Sequence, residues 1–379
     1  MVKTLPKVRA RAKTKAAIVA EAGLESPHPA HTQVVVPQCQ PIPGPKMVLY
    51  CSDCSALDGA AVALRRLRPY MAHVFGSESA PSHCSAFAVL HPRCEKLYNG
   101  LLERENWMLQ GDLPHSPLIS LVYAANCTAH AMVEAGKATP AMGQICDTIK
   151  QLYPDIFLLE LGPELMESKL LRTPAQRFLR ALVELRDFAY YVDFRLLDSL
   201  KVGEVPATRQ RMYVVGVRKC QLLILQPWQW PETCPAPKLS QFLEPRSKQA
   251  RRMSRPLSGI AQQNLARAMK AIKKAERSAK PSKECFVVDL GTSLDRRVRW
   301  AKERVPNMSY RHVKSMWVTH LKDTMTPMEL LKCQGFRPEE VEKVVQETCP
   351  SVVREMTGKS CNVNVAEKLL AALLPAVGA

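Results

Sequence analysis

Three kinds of side chain that could act together on a pyrimidine ring stand at the ends of apolar, strand-like runs in this sequence. Cys127 follows one such run, and Glu160 follows a later one. Arg209 and Arg211 come directly before a third. A thiolate can add to C6 of cytosine and make C5 nucleophilic, while a carboxyl group holds N3 and the exocyclic amine and guanidinium groups fix the base. These residue types, in this order, predict chemistry at C5 of cytosine.

Each of these residues also has an ordinary structural interpretation. The chain contains 13 cysteines, and a free cysteine is usually a small buried hydrophobe. Glu160 could be a solvated strand end, and Arg209 and Arg211 could be surface arginines beside an edge strand. The hypothesis therefore depends on the elements that would bring the four side chains together.

Short apolar runs alternate with helical patterns through residues 47–218. The predicted strands are Met47–Cys51, His73–Ser77, Leu118–Ala124, Ile156–Leu159, Val192–Leu197 and Met212–Val217. Predicted helices between them include Ala60–Arg68, Pro81–Leu90, Ala141–Leu152 and Pro174–Phe188. This alternation favours an α/β fold with a doubly wound, mostly parallel sheet.

Composition divides the chain into four predicted regions. Residues 1–46 are basic and rich in proline, which predicts a disordered leader. Residues 47–218 form the predicted core, residues 219–325 a smaller basic insert, and residues 326–379 a return to the core. Further predicted elements are a helix at Ala261–Ala279 in the insert, and Glu329–Phe336 and Val363–Leu374 in the return.

The chain is strongly basic, with 53 Lys and Arg against 35 Asp and Glu and a formal net charge of +18. Such an excess favours a polyanionic partner, foremost nucleic acid, although a basic protein without such a partner has the same composition. Much of the excess lies in the insert, at Arg246, Lys248, Arg251, Arg252, Arg255, Arg267, Lys270, Lys273, Lys274, Arg277, Lys280 and Lys283. These residues either grip phosphates or form a solvated helical face.

Several features bear on location. The apolar stretches are all shorter than the roughly 20 residues that cross a bilayer, so no membrane partner is expected. The start of the chain, residues 1–15, is basic and lacks the apolar segment of a signal peptide. The cysteines are expected to be reduced thiols of an intracellular, nuclear protein. Cys51 and Cys54 are spaced like half a zinc site, but no second pair follows, so no metal is expected.

A series of short segments follows a fixed order along the chain. Residues 52–59 precede a helix, residues 74–78 end in Glu78, and residues 111–113 contain Asp112. They are followed by Asn126-Cys127-Thr128, residues 157–160, residues 205–216, residues 325–336 and residues 358–365. In this order the segments resemble the motifs of the DNA (cytosine-5)-methyltransferases, from about Lys46 to Leu374.

The resemblance implies S-adenosylmethionine as the methyl donor, with Glu78 on its ribose and Asp112 on its adenine. The full set of implied cofactor-binding residues is Cys54, Ala56, Asp58, Gly59, Glu78, Asp112 and Ser360. The donor would lie at the carboxyl ends of parallel strands.

The resemblance also implies roles for the first four residues. The target cytosine would rotate out of the duplex into the site. Cys127 would attack C6 and Glu160 would engage N3. Arg209 and Arg211 would orient the base and phosphate, and the basic insert would recognise the target.

Several positions depart from the family pattern. Ala56 and Asp58 stand where the family has glycines, which let backbone approach the cofactor closely. Asp58 would also place a carboxylate near that of the donor, and like charges repel. Other departures are Asn126, Thr128, Leu161, Ala207 and Lys359. They predict weakened or lost affinity for S-adenosylmethionine.

Three functional hypotheses follow for a protein that we expect to be monomeric. The first is methyl transfer from S-adenosylmethionine to C5 of cytosine in DNA through a covalent adduct of Cys127 with C6. The second is a DNA-binding relative that is impaired in catalysis. The third is the same methylation on RNA, a less favoured partner than DNA.

Overall fold

The computed structural model describes residues 46–104, 118–127, 133–134, 137–138, 140–167, 169–219, 228–246, 257–309 and 312–379. Its strands are β1 Met47–Asp53, β2 Ala72–Ser77, β3 Lys96–Tyr98, β4 Ile119–Cys127, β5 Val133–Glu134, β6 Lys137–Ala138, β7 Ile156–Leu161, β8 Tyr190–Asp198, β9 Gln210–Arg218, β10 Phe286–Asp289, β11 Trp300–Lys302, β12 Met316–Val318 and β13 Asp323–Thr324. Its helices are α1 Gly59–Leu67, α2 Pro81–Leu90, α3 Pro140–Leu152, α4 Glu164–Glu167, α5 Lys169–Glu184, α6 Ser199–Val202, α7 Gly259–Ala275, α8 Pro327–Cys333, α9 Pro338–Glu347, α10 Pro350–Lys359 and α11 Val363–Leu373. Several predicted features lie outside these residues: the leader up to residue 45, Asp112, Thr128, and the basic residues Lys248, Arg251, Arg252 and Arg255 of the insert.

The described part of the chain builds one large sheet of seven strands in the order β3-β2-β1-β4-β7-β9-β8. The pairs from β3 through to β7 are parallel, whereas β9 runs antiparallel to both β7 and β8. This confirms the predicted doubly wound, mostly parallel α/β fold, and each predicted strand of the core is present. Strand β3 was not predicted from the sequence, because its three residues at a sheet edge form no extended apolar run.

Helices cover both faces of this sheet because its strands alternate in the direction of their side chains. In β1, Val48 and Tyr50 join a core with α1 and the return helices. Leu49 and Cys51 join a second core, which α3 and α5 cover from the other side. Neighbouring residues at a strand end therefore point to opposite faces.

The insert contains a second sheet that the sequence analysis did not predict. Its four antiparallel strands have the order β11-β10-β12-β13 within the described residues. They are only two to four residues long, and the short apolar runs in Phe286–Asp289 and Met316–Val318 were not recognised as strands in the sequence. The predicted helix is confirmed as α7, which packs Ala268 and Ile272 on this sheet.

The return segment packs onto the start of the core. Helix α8 begins with a capping box, in which Thr326 and Glu329 bond each other's backbone amides. Asn362 is the N-cap of helix α11, and its side chain accepts a hydrogen bond from Val365 N. Lys46, predicted to belong to the leader, donates to the carbonyl of Val377 at 2.6 Å. No helix in the described ranges has both the length and the apolar character needed to cross a membrane.

Candidate functional site

Glu160, Arg209 and Arg211 meet at one edge of the large sheet. Glu160 lies near the end of β7, and the antiparallel pairing places it opposite Tyr213 of β9. Its Oε1 atom is 2.9 Å from Arg209 Nη2 and 3.2 Å from Arg211 Nε. The structure therefore brings together three of the four side chains that the sequence analysis selected for chemistry on a base.

Arg209 is fixed by the protein itself. Its Nη1 donates to the carbonyls of Met308 and Gly358, and its Nη2 donates to the carbonyl of Ser360 as well as to Glu160. The side chain is buried. These bonds occupy both terminal nitrogens, so Arg209 positions Glu160 and ties the insert and α10 to the core.

Arg211 is the more accessible of the two arginines. Its side chain keeps 17% of its exposed area, against 1% for Arg209. Burial, followed by the neighbouring charge of Arg209, lowers the pKa of Arg211 to about 10. Arg211 is still cationic at neutral pH and is the more exposed cation of the two.

Tyr213 is a site residue that the sequence analysis missed. Its hydroxyl donates to Glu160 Oε2 at 3.1 Å and lies 3.9 Å from the Cys361 sulfur. Burial, together with the nearby Cys361 and Glu160, raises the pKa of Tyr213 well above its usual range. The signal was available, because residues 209, 211 and 213 follow the two-residue period that directs side chains to one face of a strand.

Cys127 lies away from this group. It is the last residue of β4 and is 2% exposed, among apolar side chains of the core that α3 and α5 cover. The preceding residue, Asn126, pairs with Glu160 in register and donates to the carbonyl of Lys359. Because neighbouring strand residues point to opposite faces, the Cys127 side chain leaves the sheet on the face away from Glu160.

The thiol of Cys127 contacts a second thiol. A hydrogen bond with Cys127, followed by burial, raises the pKa of Cys54 well above its usual range. Both cysteines are free. A protonated Cys54 thiol carries no positive charge, so it cannot stabilise a thiolate at Cys127 as a histidine or lysine cation would.

The loop after β1, which resembles the first cofactor motif, has a backbone that glycine would favour. Cys54, Ala56 and Asp58 have φ angles of 52°, 49° and 45°. This left-handed conformation crowds the Cβ atom of any residue other than glycine. The loop thus keeps the path of a glycine loop while carrying three side chains.

Asp58 fills the inside of this loop. Its Oδ1 accepts from Tyr50 OH at 2.7 Å and from Ala61 N at 3.0 Å, and its Oδ2 accepts from Ser52 Oγ at 2.6 Å. It is the N-cap of α1 and is 4% exposed. The carboxylate therefore satisfies the helix and two buried hydroxyls at once.

Glu78, the expected ribose contact, forms its hydrogen bonds within the protein. Its Oε2 accepts from Ala56 N at 3.0 Å, its Oε1 accepts from Ser79 N at 2.9 Å, and His83 lies 3.6 Å away. Burial alone would raise the pKa of Glu78, but His83 and the two amides outweigh it and lower the pKa. The carboxylate is held as part of the loop.

Ser360 of the return segment packs against the same region, beside Gly59 of α1. Ser360 Oγ accepts from Leu57 N at 2.9 Å. A Cβ atom on Gly59 would lie 2.3 Å from the carbonyl oxygen of Cys361, so only glycine permits this approach. Residues 57–59 are thus packed directly on residues 360–361.

Among the described residues, these contacts leave little space beside the first motif. A cavity lined by Ser52, Asp58, Gly59, Asn126, Glu160 and neighbouring residues has a volume of about 20 Å³, enough for about one water molecule. Sites for ligands of drug size measure about 300 Å³ or more. Asp112, the expected adenine contact, lies outside the described residues. The described residues of the first motif do not fit S-adenosylmethionine.

The insert presents basic side chains on one helix. Lys270, Lys273 and Lys274 of α7 are exposed, as is Arg277 just beyond it. They take part in none of the ion pairs found among the described residues. The opposite side of α7 packs on the small sheet, so these charges face away from the insert's core.

Solved structures with a similar fold include several methyltransferases. The chain is similar to the Entamoeba histolytica methyltransferase EhMeth at 13% identity and a TM-score of 0.54, covering 87% of this chain and 98% of that one. It is similar to the Dnmt2 methyltransferase of S. pombe at 13% identity and a TM-score of 0.55, covering 86% and 98%. A protein assigned as a DNA modification methyltransferase from an E. coli prophage gives 13% identity and a TM-score of 0.57, covering 88% and 100%. At this identity the likeness shows the fold alone.

A family model identifies the chain more directly. No curated protein sequence matches it at a significant level. The model for C-5 cytosine-specific DNA methylases, however, matches residues 142–374, which is more than half of the chain. The matched segment contains Glu160, Arg209 and Arg211 but begins after the first motif and Cys127. The chain is therefore a divergent member of the C-5 cytosine-specific DNA methylase family.

Proposed function

We propose that this protein binds nucleic acid, duplex DNA in preference to RNA, and holds an extruded cytosine against Glu160 without transferring a methyl group to it. The proposal joins two observations. The base-binding side, Glu160 with Arg209 and Arg211, is assembled, whereas Asp58 and Glu78 of the donor side bond within the protein. The inward bonds of these two carboxylates carry the proposal, because methyl transfer needs the donor and the base in one site.

The assembled side suits a cytosine. Glu160 has one oxygen shared by two arginines and the other bonded to Tyr213, so its position is fixed before a base arrives. A carboxylate has about four acceptor positions, which leaves capacity for the exocyclic amine of cytosine. The basic face of α7 supplies charge for phosphates.

The experiment compares the affinities for single-stranded oligo(dC) and oligo(dT) by fluorescence anisotropy at one fixed salt concentration. Cytosine offers its amine to Glu160, whereas thymine presents a carbonyl oxygen there. We expect roughly tenfold tighter binding of oligo(dC), since a hydrogen bond to a charged group contributes about 1.5–3 kcal/mol. Glu160→Gln should remove most of this preference and leave the salt-dependent binding.

Glu184→Gln serves as the matched control, because it removes the same charge from an exposed position on α5. It should leave the preference unchanged. Equal affinities for the two oligonucleotides in the wild-type protein would rule out recognition of cytosine. Duplex DNA and structured RNA, compared at the same salt, test the choice of nucleic acid.

Methyl transfer to C5 of cytosine is the second candidate function. The Glu160–arginine group favours it, because the same residues would hold the base during covalent attack by Cys127. The test is transfer of a labelled methyl group to mixed DNA and RNA, with covalent trapping on 5-fluorocytosine DNA. We expect neither. Transfer or trapping by the wild-type protein that Cys127→Ser abolishes would replace our proposal with this one.

A further inference from the structure

We infer that Asp58 stands in, from within the chain, for the carboxylate of the methyl donor, so that the first motif folds and stays closed with no donor bound. The inference rests on the proposed function, for which it gives the structural cause. It concerns the loop of residues 54–58, the start of α1 and the segment 360–361 that packs on them.

The backbone amides of the loop are all used by the protein. Cys54 N and Ser55 N donate to Ser77, Ala56 N donates to Glu78, Leu57 N donates to Ser360, and Asp58 N donates to the carbonyl of Ser55. Five consecutive amides therefore have partners inside the chain. A ligand that bound this loop through its amides would have to displace them.

The carboxylate of Asp58 already lies at the N-terminus of α1. A helix N-terminus carries partial positive charge and exposed amides, and an anion placed there is stabilised. Asp58 supplies that anion, since its Oδ1 accepts from Ala61 N at 3.0 Å. The first two residues of α1, Gly59 and Ala60, line the cavity of about 20 Å³, so the space beside them admits water and excludes a second carboxylate.

The surroundings of Asp58 are matched to a fixed buried carboxylate. Tyr50 and Ser52 come from β1 and direct their hydroxyls at its two oxygens. His73 of β2 lies 3.7 Å from Oδ2 and is 4% exposed. These partners come from two strands, so the carboxylate is part of the packing between α1 and the sheet. A donor carboxylate would meet both a filled position and a like charge.

Replacing Asp58 by glycine, which this backbone conformation favours, should reopen the space that the Asp58 carboxylate fills. Asp58 has φ 45°, a conformation that glycine adopts without strain. Asp58→Gly removes the carboxylate and keeps the path of the loop. Asp58→Asn is the matched control, because it keeps the volume and an oxygen for Ala61 N but removes the charge.

Titration calorimetry with S-adenosylmethionine measures the outcome directly. We expect no binding by the wild-type protein or by Asp58→Asn at about 1 mM donor, and a Kd below about 100 µM for Asp58→Gly. A donor-dependent rise in Tm should accompany the gain. The double variant Ala56→Gly/Asp58→Gly repeats the test if the single variant folds poorly.

Two results would overturn the inference. Micromolar binding of the donor by the wild-type protein would show that the site is open. Folded glycine variants that still bind no donor would show that Asp58 is not what closes it. Anisotropy with oligo(dC) on the same preparations tests the proposed function separately, because a loss of oligo(dC) preference leaves the calorimetric result intact.

Discussion

Residues around the candidate site are held by partners from distant parts of the chain. Glu355 is an example, because these partners lower its pKa. It lies on α10 and pairs with Lys314 of the insert at 2.8 Å and with Lys359 at 2.9 Å. Its Oε1 atom, which contacts Lys359, also lies 3.6 Å from His83 Nε2, and His83 in turn faces Glu78. Hydrogen bonds from Lys314 and then Lys359 lower the pKa of Glu355 to about 2.

This pKa gives a prediction about acid stability. A carboxyl group whose pKa is lower in the folded state stabilises the protein above its ordinary pKa of 4.5, and the contribution is lost as pH falls toward 2. Because the side chain is 30% exposed, solvent screening reduces the contribution at pH 7 to about 1 kcal/mol. Urea unfolding of the wild-type protein and Glu355→Gln should show this difference.

The difference should be constant between about pH 7 and pH 5.5 and should shrink below about pH 4.5. A difference that stays the same down to about pH 3 would contradict the assignment of the low pKa to Glu355. Lys343→Gln, at an exposed position on α9, is a control for the loss of a surface ion pair.

At the scale of elements, the insert brings a helix with a basic exposed face to the core. The small sheet covers the apolar side of α7 and so fixes the direction of that face. Lys270, Lys273 and Lys274 lie within two turns and point to solvent. A phosphate backbone that follows the helix would contact several of them.

Replacing these three lysines by glutamine should weaken binding of duplex DNA and reduce its dependence on salt. Each lost phosphate contact lowers the slope of log Kd against log salt by about 0.9, so a reduction of about 2 to 3 is expected. Anisotropy titrations at several salt concentrations measure the slope. The matched variant, with Lys201, Lys343 and Lys368 changed to glutamine, should leave the slope unchanged. Equal slopes for the wild-type protein and the α7 variant would exclude α7 as the contact.

At the scale of the whole molecule, Arg66 joins the first helix of the core to the return segment. Its guanidinium contacts Glu340 at 2.7 Å and Glu367 at 2.8 Å, and it donates to the carbonyl of Gly335. These partners lie on α9, on α11 and in the turn after α8, far along the chain. The network holds the return segment against α1, where it closes the first motif.

Arg66→Met should lower the free energy of unfolding by about 3 kcal/mol, because it leaves two carboxylates without their partner. Equilibrium urea unfolding provides the measurement. Arg180→Met is the control, since its solvent-exposed pair with Glu184 should contribute little to stability. A loss as small as that of the control would mean that the return segment is held by its apolar core alone.

The sequence by itself determined the succession of strands and helices along the core of the chain. It also determined the grouping of Glu160 with two arginines. Those features depend on local periodicity and on the fact that β7 and β9 each carry apolar runs beside the relevant residues. The tertiary structure alone decided that Cys127 faces Cys54 rather than Glu160, because the face of a strand end depends on register with its neighbours. It also decided that the Asp58 carboxylate lies inside the loop after β1, because its partners Tyr50, Ser52 and Ala61 come from β1 and α1. The strands of the insert also needed the structure, because runs of two to four residues carry too little pattern to be recognised alone.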